Sequence, residues 1–386
     1  MSSLTVRGGT DAAGDPCEVH VVDGVVTDPA DLADPARPVG DVLDASGLRV
    51  LPGWLDLQVN GVAGIDLTNE PDRLWEAGTA LAGFGVTGFL PTVITSAPEA
   101  RARALEVFAA GPPAGWRGAV PLGLHFEGPM IAPTRKGAHP EHWLRAPAPE
   151  LVQGWSRTDG VAMVTIAPEL PGAGEVIDLL VARGVLVSVG HTAAATTQVL
   201  DALDRGARVV THLGNAMPPI QAREPGPAGV ALADPRLTVG LIADGHHLHR
   251  ASLTGYAHAM GPQRTLAVTD CTAALGLPDG ETRLGDQHVL VEAGAVRLVD
   301  GTLAGSAAPL TQCLRELAAA TDWPTTDVVA TCTSVPADLL GDPGRGRISP
   351  GARGDLTLVD DDFEVVATVV GGHVVHHIDS FDGGDR

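Results

Sequence analysis

Cysteine is scarce and dispersed. The four cysteines, Cys17, Cys271, Cys313 and Cys332, share no paired spacing, which excludes a cysteine-built metal centre and a disulfide framework. Lysine is scarcer still: Lys136 is the only one, and every other basic side chain is arginine. Positive charge as a whole is short, with 25 Lys+Arg against 47 Asp+Glu and a formal net charge of −22. Such a surface repels polyanions, so nucleic acid and anionic membrane are excluded as partners. An anionic small substrate would need a local cluster of cations. Aromatic residues make up 3% of the chain although 44% of it is hydrophobic, so the core is expected to be Val, Leu and Ala. No apolar run approaches the roughly 20 residues of a membrane span, and the opening MSSLTVRGG lacks an apolar signal region. The expectation is a cytoplasmic protein.

What is there is a change of pattern along the 386 residues. Both ends carry short β-like runs broken by Gly, Pro and Asp, at Leu4–Val6, Glu18–Val22 and Val25–Val26, then at Leu356–Val359, Val365–Val370 and Val374–His377. Each end is too small to fold alone, so residues 1–51 and 347–386 are expected to pair into one small β-sandwich domain. Between them strands alternate with helices. Strands are expected at Trp54–Val59, Thr87–Val93, Val120–Phe126, Val161–Ile166, Leu186–Val189, Arg208–Thr211, Thr238–Ile242 and Thr265–Thr269. Helical stretches include Asp72–Phe84, Glu99–Ala110, Glu175–Arg183, Arg250–Met260 and Pro309–Ala320. This is the pattern of an α/β fold, a (β/α)8 TIM-type barrel over 52–346, with Glu281–Gly305 as a hairpin inserted after the eighth strand.

The segment Val185–Met217 anchors the chemistry. Two apolar runs end in His191 and His212, and Thr192–Gly206 between them has a helical pattern with Val199, Leu200 and Leu203 on one face. A right-handed crossover makes the two strands parallel and brings both histidines to one edge. A barrel keeps its active site at the C-terminal ends of its strands. The third strand ends at Glu127, the seventh at Asp244, His246 and His247, and the eighth at Asp270. One glutamate and two imidazoles form the ligand set of a catalytic metal site with an open position. The expected ion is zinc, although Fe²⁺ or Mn²⁺ also suits Glu127, His191 and His212. Asp270 is the natural general base. His125 shares a strand face with Glu127 and is read as a histidine that is packed or that stands behind the metal ligands.

These motifs carry a resemblance. LPGWLDLQVNG (51–61), GLHFEGPMIAPTRKGAH (123–139), SVGH (188–191), THLGNAMPPIQAREPGPAG (211–229), GLIADGHH (240–247), AVTD (267–270) and GTLAGS (301–306) resemble the N-acetylglucosamine-6-phosphate deacetylases of the amidohydrolase superfamily. The likeness runs almost end to end. It implies hydrolysis of the acetamide of N-acetylglucosamine 6-phosphate, with Glu127, His191 and His212 on the metal and Asp270 as acid and base. It also implies that His139 and Ala138 lie against the acetamide and sugar. Asn215 and Ala216 would offer backbone N–H groups, Arg223 and His247 would meet the phosphate, and Leu303, Ala304 and Gly305 would line the pocket. A homodimer in which Arg223 reaches the neighbouring site is implied too. Gly214, His246 and the CTAALG run at 271–276 depart from the usual pattern, which bears on pocket shape.

Other readings are weighed by their ligands. A binuclear amidohydrolase needs His-x-His on the first strand and a lysine on the fourth. Here stand Gln58 and Asn60, and Ile166-Ala167-Pro168-Glu169. Gln58 and Asn60 are left to bind a water near the metal or to satisfy buried backbone. The remaining alternatives are a deacetylase for the galactosamine epimer, an N-acyl-amino-acid hydrolase, and a metal-free barrel kept as a binding or assembly protein.

Overall fold

The computed structural model describes residues 2–31 and 40–378. Eight parallel strands form the centre: β1 (Trp54–Val59), β2 (Val86–Ile94), β3 (Leu124–Glu127), β4 (Val161–Ile166), β5 (Leu186–Val189), β6 (Val209–Val210), β7 (Thr238–Ile242) and β8 (Thr265–Val268). Each pairs in parallel with the next in sequence. The ring closes by a parallel bridge between Val59 and Cys271, where Asn60 N–H donates to Cys271 O at 2.7 Å.

Side-chain alternation sorts the barrel into layers. Leu57, Leu90, Met163, Val209, Ile242 and Val268 come from six different strands yet pack on one another, so they fill the interior. Val164 and Val187 point outward, against Ile177, Leu180 and Val199 of the surrounding helices. Above the apolar filling lies a buried polar layer. His125 sits between Thr92 and Thr165, at 3.2 and 2.8 Å, and Thr165, Thr211 and Ser188 are linked hydroxyl to hydroxyl at 2.8 and 2.6 Å. His125 is thus a packed histidine, and burial pushes its imidazole down to about 4.

Local differences from the expected elements have local causes. The expected third strand, Val120–Phe126, breaks into Val120–Pro121 and Leu124–Glu127, because Pro121 has no N–H to donate and Gly123 turns to φ 115°. The helix after β5 is shorter than expected, Thr196–Asp204, with Gln198 Oε1 accepting from Ala195 N–H at 2.9 Å. Its buried stripe is Val199, Ala202 and Leu203, while Leu200, expected on that face, is exposed at 37%. One step along a helix turns a side chain about 100° away from the stripe. The expected hairpin after β8 is a four-stranded antiparallel sheet, Gly280–Leu284, Gln287–Glu292, Ala295–Leu298 and Leu303–Ser306.

Both ends of the chain meet in one sheet of eight strands among the described residues. Arg49–Pro52 from the first end pairs antiparallel with Leu356–Val359 from the second. Val6, Val21 and Val50 share a core with Leu358, Ala367 and Val369. Residues 1, 32–39 and 379–386 of the expected small domain lie outside the described residues. No helix among the described residues is long and apolar enough to cross a membrane.

Candidate active site

Glu127 ends β3 itself, while His191, His212 and Asp270 stand two residues beyond β5, β6 and β8. The last three share an unusual backbone: φ is 48° at His191, 34° at His212 and 51° at Asp270. Non-glycine residues seldom enter this left-handed region, and those that do cluster at functional sites. The side chains converge. His191 Nε2 and His212 Nε2 lie 3.2 and 3.1 Å from Glu127 Oε1 and 3.0 Å from each other. All four residues are buried.

The donor chemistry of this cluster fits a cation. His191 Nδ1 faces the carbonyl oxygen of Arg135 at 2.9 Å, an atom that only accepts, so Nδ1 carries the hydrogen and Nε2 presents a lone pair. That lone pair points at a carboxylate oxygen and at a second imidazole. His212 Nδ1 is buried without a hydrogen-bond partner among the described residues, so no group behind the ring holds its hydrogen there. A positive ion at the point of convergence satisfies all three atoms. Burial opposes the charge of Glu127, but the two imidazoles of His191 and His212 beside Oε1 hold its carboxyl well below the usual range.

His139 is also close: one ligand atom each from Glu127, His139 and His191 lie within 4.8 Å of one another. Its own bonding separates it from the set. Thr95 N–H donates to His139 Nδ1 at 3.3 Å, and Thr95 Oγ1 lies 2.8 Å from the same atom. Nδ1 is therefore the acceptor, and the ring's hydrogen sits on Nε2, 3.9 Å from Glu127 Oε2. Burial, then the neighbouring His191, keeps this imidazole far below its ordinary pKa. His139 is a neutral donor aimed at the cluster.

Asp270 is held from one side. Asn60 Nδ2 and Gln58 Nε2 donate to its Oδ1 at 2.6 and 3.0 Å, and Gln58 Nε2 also reaches Glu127 Oε1 at 3.3 Å. Oδ2 has no protein partner among the described residues. Burial, then the negative charge of Glu127, pushes the Asp270 carboxyl up to about 8. Gln58 and Asn60, left open between two roles by sequence, brace the carboxylates.

Above these groups is a cavity of about 280 Å³. It is lined by Ala138, His139, Asn215, Ala216, His247, Leu303, Ala304 and Gly305, all expected from sequence, and by Arg135 and Leu284, which were not. Gly305 (φ 65°) is required there, since a Cβ would sit 2.7 Å from Asp270 O and 2.6 Å from Thr272 Cγ2. Asp244 Oδ2 orients His247 through Nδ1 at 2.7 Å. One expectation needs correction. Asn215 cannot offer its backbone N–H to a ligand, because that N–H donates to His212 O at 3.0 Å within the turn. The Ala216 N–H is unpartnered among the described residues. Arg223 does not line the cavity; it lies exposed on its loop without a hydrogen bond or ion pair among the described residues. A wider groove of about 750 Å³, lined by Trp116, Arg117, Arg353 and His373, has no metal-binding cluster among the described residues.

Comparison with known proteins adds a lineage to this geometry. The amidohydrolase family matches residues 50–375. The human N-acetylglucosamine-6-phosphate deacetylase is 38% identical, over 94% of this chain and 92% of its own. That of Bacillus subtilis (strain 168) is 34% identical, over 88% of each. A mutant of the Mycobacterium smegmatis N-acetyl-D-glucosamine-6-phosphate deacetylase, solved in complex with N-acetyl-D-glucosamine-6-phosphate, superposes with a TM-score of 0.86 at 34% identity, covering 97% of this chain and 99% of that one.

Proposed function

The chain belongs to the amidohydrolase family and, within it, to the N-acetylglucosamine-6-phosphate deacetylases, and from that premise we propose how its residues carry out the reaction. It is a hydrolase acting on an amide: it removes acetate from N-acetyl-D-glucosamine 6-phosphate to leave D-glucosamine 6-phosphate, in amino-sugar metabolism. The observation that carries the reading is the meeting of Glu127, His191 and His212 with Asp270 and His139 at one cavity floor.

Glu127, His191 and His212 would hold a single divalent ion, for which zinc is our choice because a Glu–His–His set with an open position suits it. Such an ion polarises a carbonyl and makes water a stronger nucleophile near neutral pH. The rest is work for the protein. Asp270 Oδ2, left free by the two amides on Oδ1, takes the proton of the attacking water and passes it to the departing amine. His139 Nε2–H donates to the carbonyl oxygen as negative charge grows there, held in place by Thr95. Ala216 N–H and His247 meet the sugar phosphate, and Leu303, Ala304 and Gly305 close over the sugar.

Further parts of the same reading go beyond the single chain. Arg223, exposed and unpaired among the described residues, would serve the site of a second copy in a homodimer. Residues 52–346 would be the catalytic barrel, with 1–51 and 347–386 as the small domain. A cytoplasmic setting follows from the substrate, since a phosphorylated sugar does not cross a membrane unaided. Turnover measured side by side on N-acetylglucosamine 6-phosphate, N-acetylgalactosamine 6-phosphate and unphosphorylated N-acetylglucosamine tests the assignment. The first should lead the others in kcat/KM; equal values for the phosphorylated and plain glucosamine amides would overturn the phosphate reading.

A further inference from the structure

Arg135 closes the short turn Pro133–Arg135 in the cavity wall, and its backbone and side chain do different things. The carbonyl orients His191 through Nδ1. That contact puts the backbone of Arg135 behind the ring, on the side away from Glu127 and the reacting atoms. The guanidinium makes no hydrogen bond or ion pair among the described residues, and its Nε is buried without a partner.

Comparable arginines in this chain are satisfied. Arg345 reaches Asp355 and Asp342 at 2.6 and 3.0 Å, Arg157 bonds Leu122 O at 2.8 Å, and Arg264 bonds a ring of carbonyls. A half-buried cation with a dry N–H is costly to leave unpaired. The carboxylates of the cavity do not relieve it: Glu127 is engaged with His191 and His212, and Asp270 with Gln58 and Asn60. The missing partner is an anion that arrives with the ligand. In a protein of net charge −22, a permanently charged planar fork beside the cavity is also what a dianion needs on entry.

We propose that Arg135 is a phosphate ligand supplied by the same chain that supplies the metal-binding residues, and that it sets the preference for a phosphorylated sugar. This rests on the reading of the substrate as a sugar 6-phosphate. Arg135 thus works in its own subunit's cavity, independently of any residue brought by a second copy.

The test compares wild type, Arg135→Ala and Arg135→Lys on N-acetylglucosamine 6-phosphate and on plain N-acetylglucosamine, with inorganic phosphate as a competing ligand and metal content measured in parallel. Losing a charged, two-pronged contact should raise KM for the 6-phosphate in Arg135→Ala by about 10- to 100-fold. The kcat/KM ratio between the two substrates should fall by a similar factor. Inhibition by inorganic phosphate should weaken, metal content should hold, and Arg135→Lys should recover part of the loss. Equal losses on both substrates, or loss of the metal, would make Arg135 a brace for His191 and overturn the proposal. If wild type itself does not distinguish the two sugars, the substrate reading fails; if wild type does and Arg135→Ala distinguishes them equally well, only the Arg135 assignment fails.

Discussion

At the scale of single residues, Asp270 shows a carboxylate kept in an expensive state. Its pKa in the folded, metal-free protein is pushed up to about 8 by burial and then by Glu127, above the ordinary aspartate value of 3.8. Between those values the folded state binds the extra proton, so this group's contribution to stability is full below about 4 and is lost as pH rises towards 8. Asp270→Asn keeps the oxygen that Asn60 and Gln58 grip but cannot ionise. Metal-free Asp270→Asn should therefore melt higher than metal-free wild type at pH 9, and the gap should close at pH 4. Its kcat should fall at least ~100-fold, given what general-base catalysis contributes, while metal still binds. Near-normal turnover would make Asp270 structural. A cation among Glu127, His191 and His212 removes part of the repulsion on Asp270, so metal uptake should release protons below pH 8 and tighten as pH rises to that point. Titration calorimetry in buffers of different ionisation heat reads this, and proton-neutral binding at pH 6.5 would argue against the coupling. Glu127, His191, His212 and Asp270 were legible because each follows an apolar run at a strand end. Thr95, Gln58, Asn60 and Arg135 act through partners 44 or more positions away in the chain, for example Thr95 on His139 and Asn60 on Asp270, and no local pattern marks them.

At the scale of elements, the unit β5–helix–β6 sets the spacing of the two histidines. Register does this: Ser188 pairs with Val209 and Val189 with Val210, and Thr211 N–H still reaches Val189 O at 3.0 Å. Between strand and ligand stands Gly190, where an added Cβ would meet Thr165 Cγ2 at 2.8 Å and Thr211 Cβ at 2.9 Å. Gly190→Ala should cost about 1–3 kcal/mol through overpacking. It should also shift His191, so metal stoichiometry falls together with the melting temperature. Full metal loading with only a lower melting temperature would mean the strand end absorbs the strain elsewhere. The inserted sheet is the element the sequence under-described. Two of its strands read as a hairpin, but Gly280–Leu284 buries only Leu284 and Leu303–Ser306 is short. The pairing that makes them strands comes from their neighbours.

For the whole molecule, Arg223 bears on assembly: it is exposed and lacks a hydrogen bond or ion pair among the described residues. If it serves a second copy, mixing Arg223→Ala with Asp270→Asn should restore part of the activity through hybrid dimers, each having one site with an intact Asp270 and an Arg223 from the partner. Subunits shown to exchange without any recovery would count against the cross-subunit role. The polar layer inside the barrel and the apolar filling beneath it underlie the rim that carries Glu127, His191 and His212, so its strand ends rest on a packed interior.

The sequence alone determined the barrel, the pairing of the two chain ends and the meeting of Glu127, His191 and His212 at one rim, because strand–helix alternation, β-rich termini and strand-end residues are each written in contiguous stretches. Only the tertiary structure decided how individual atoms of the site are partnered. Among the described residues, it turned His139 into a donor through Thr95, took the Asn215 N–H out of use through His212 O, left Asp270 Oδ2 free by loading Oδ1, and left Arg135 without a counter-ion. Tautomer, pKa and unpaired charge depend on which distant groups share a buried volume, and that is a property of packing, not of spacing along the chain.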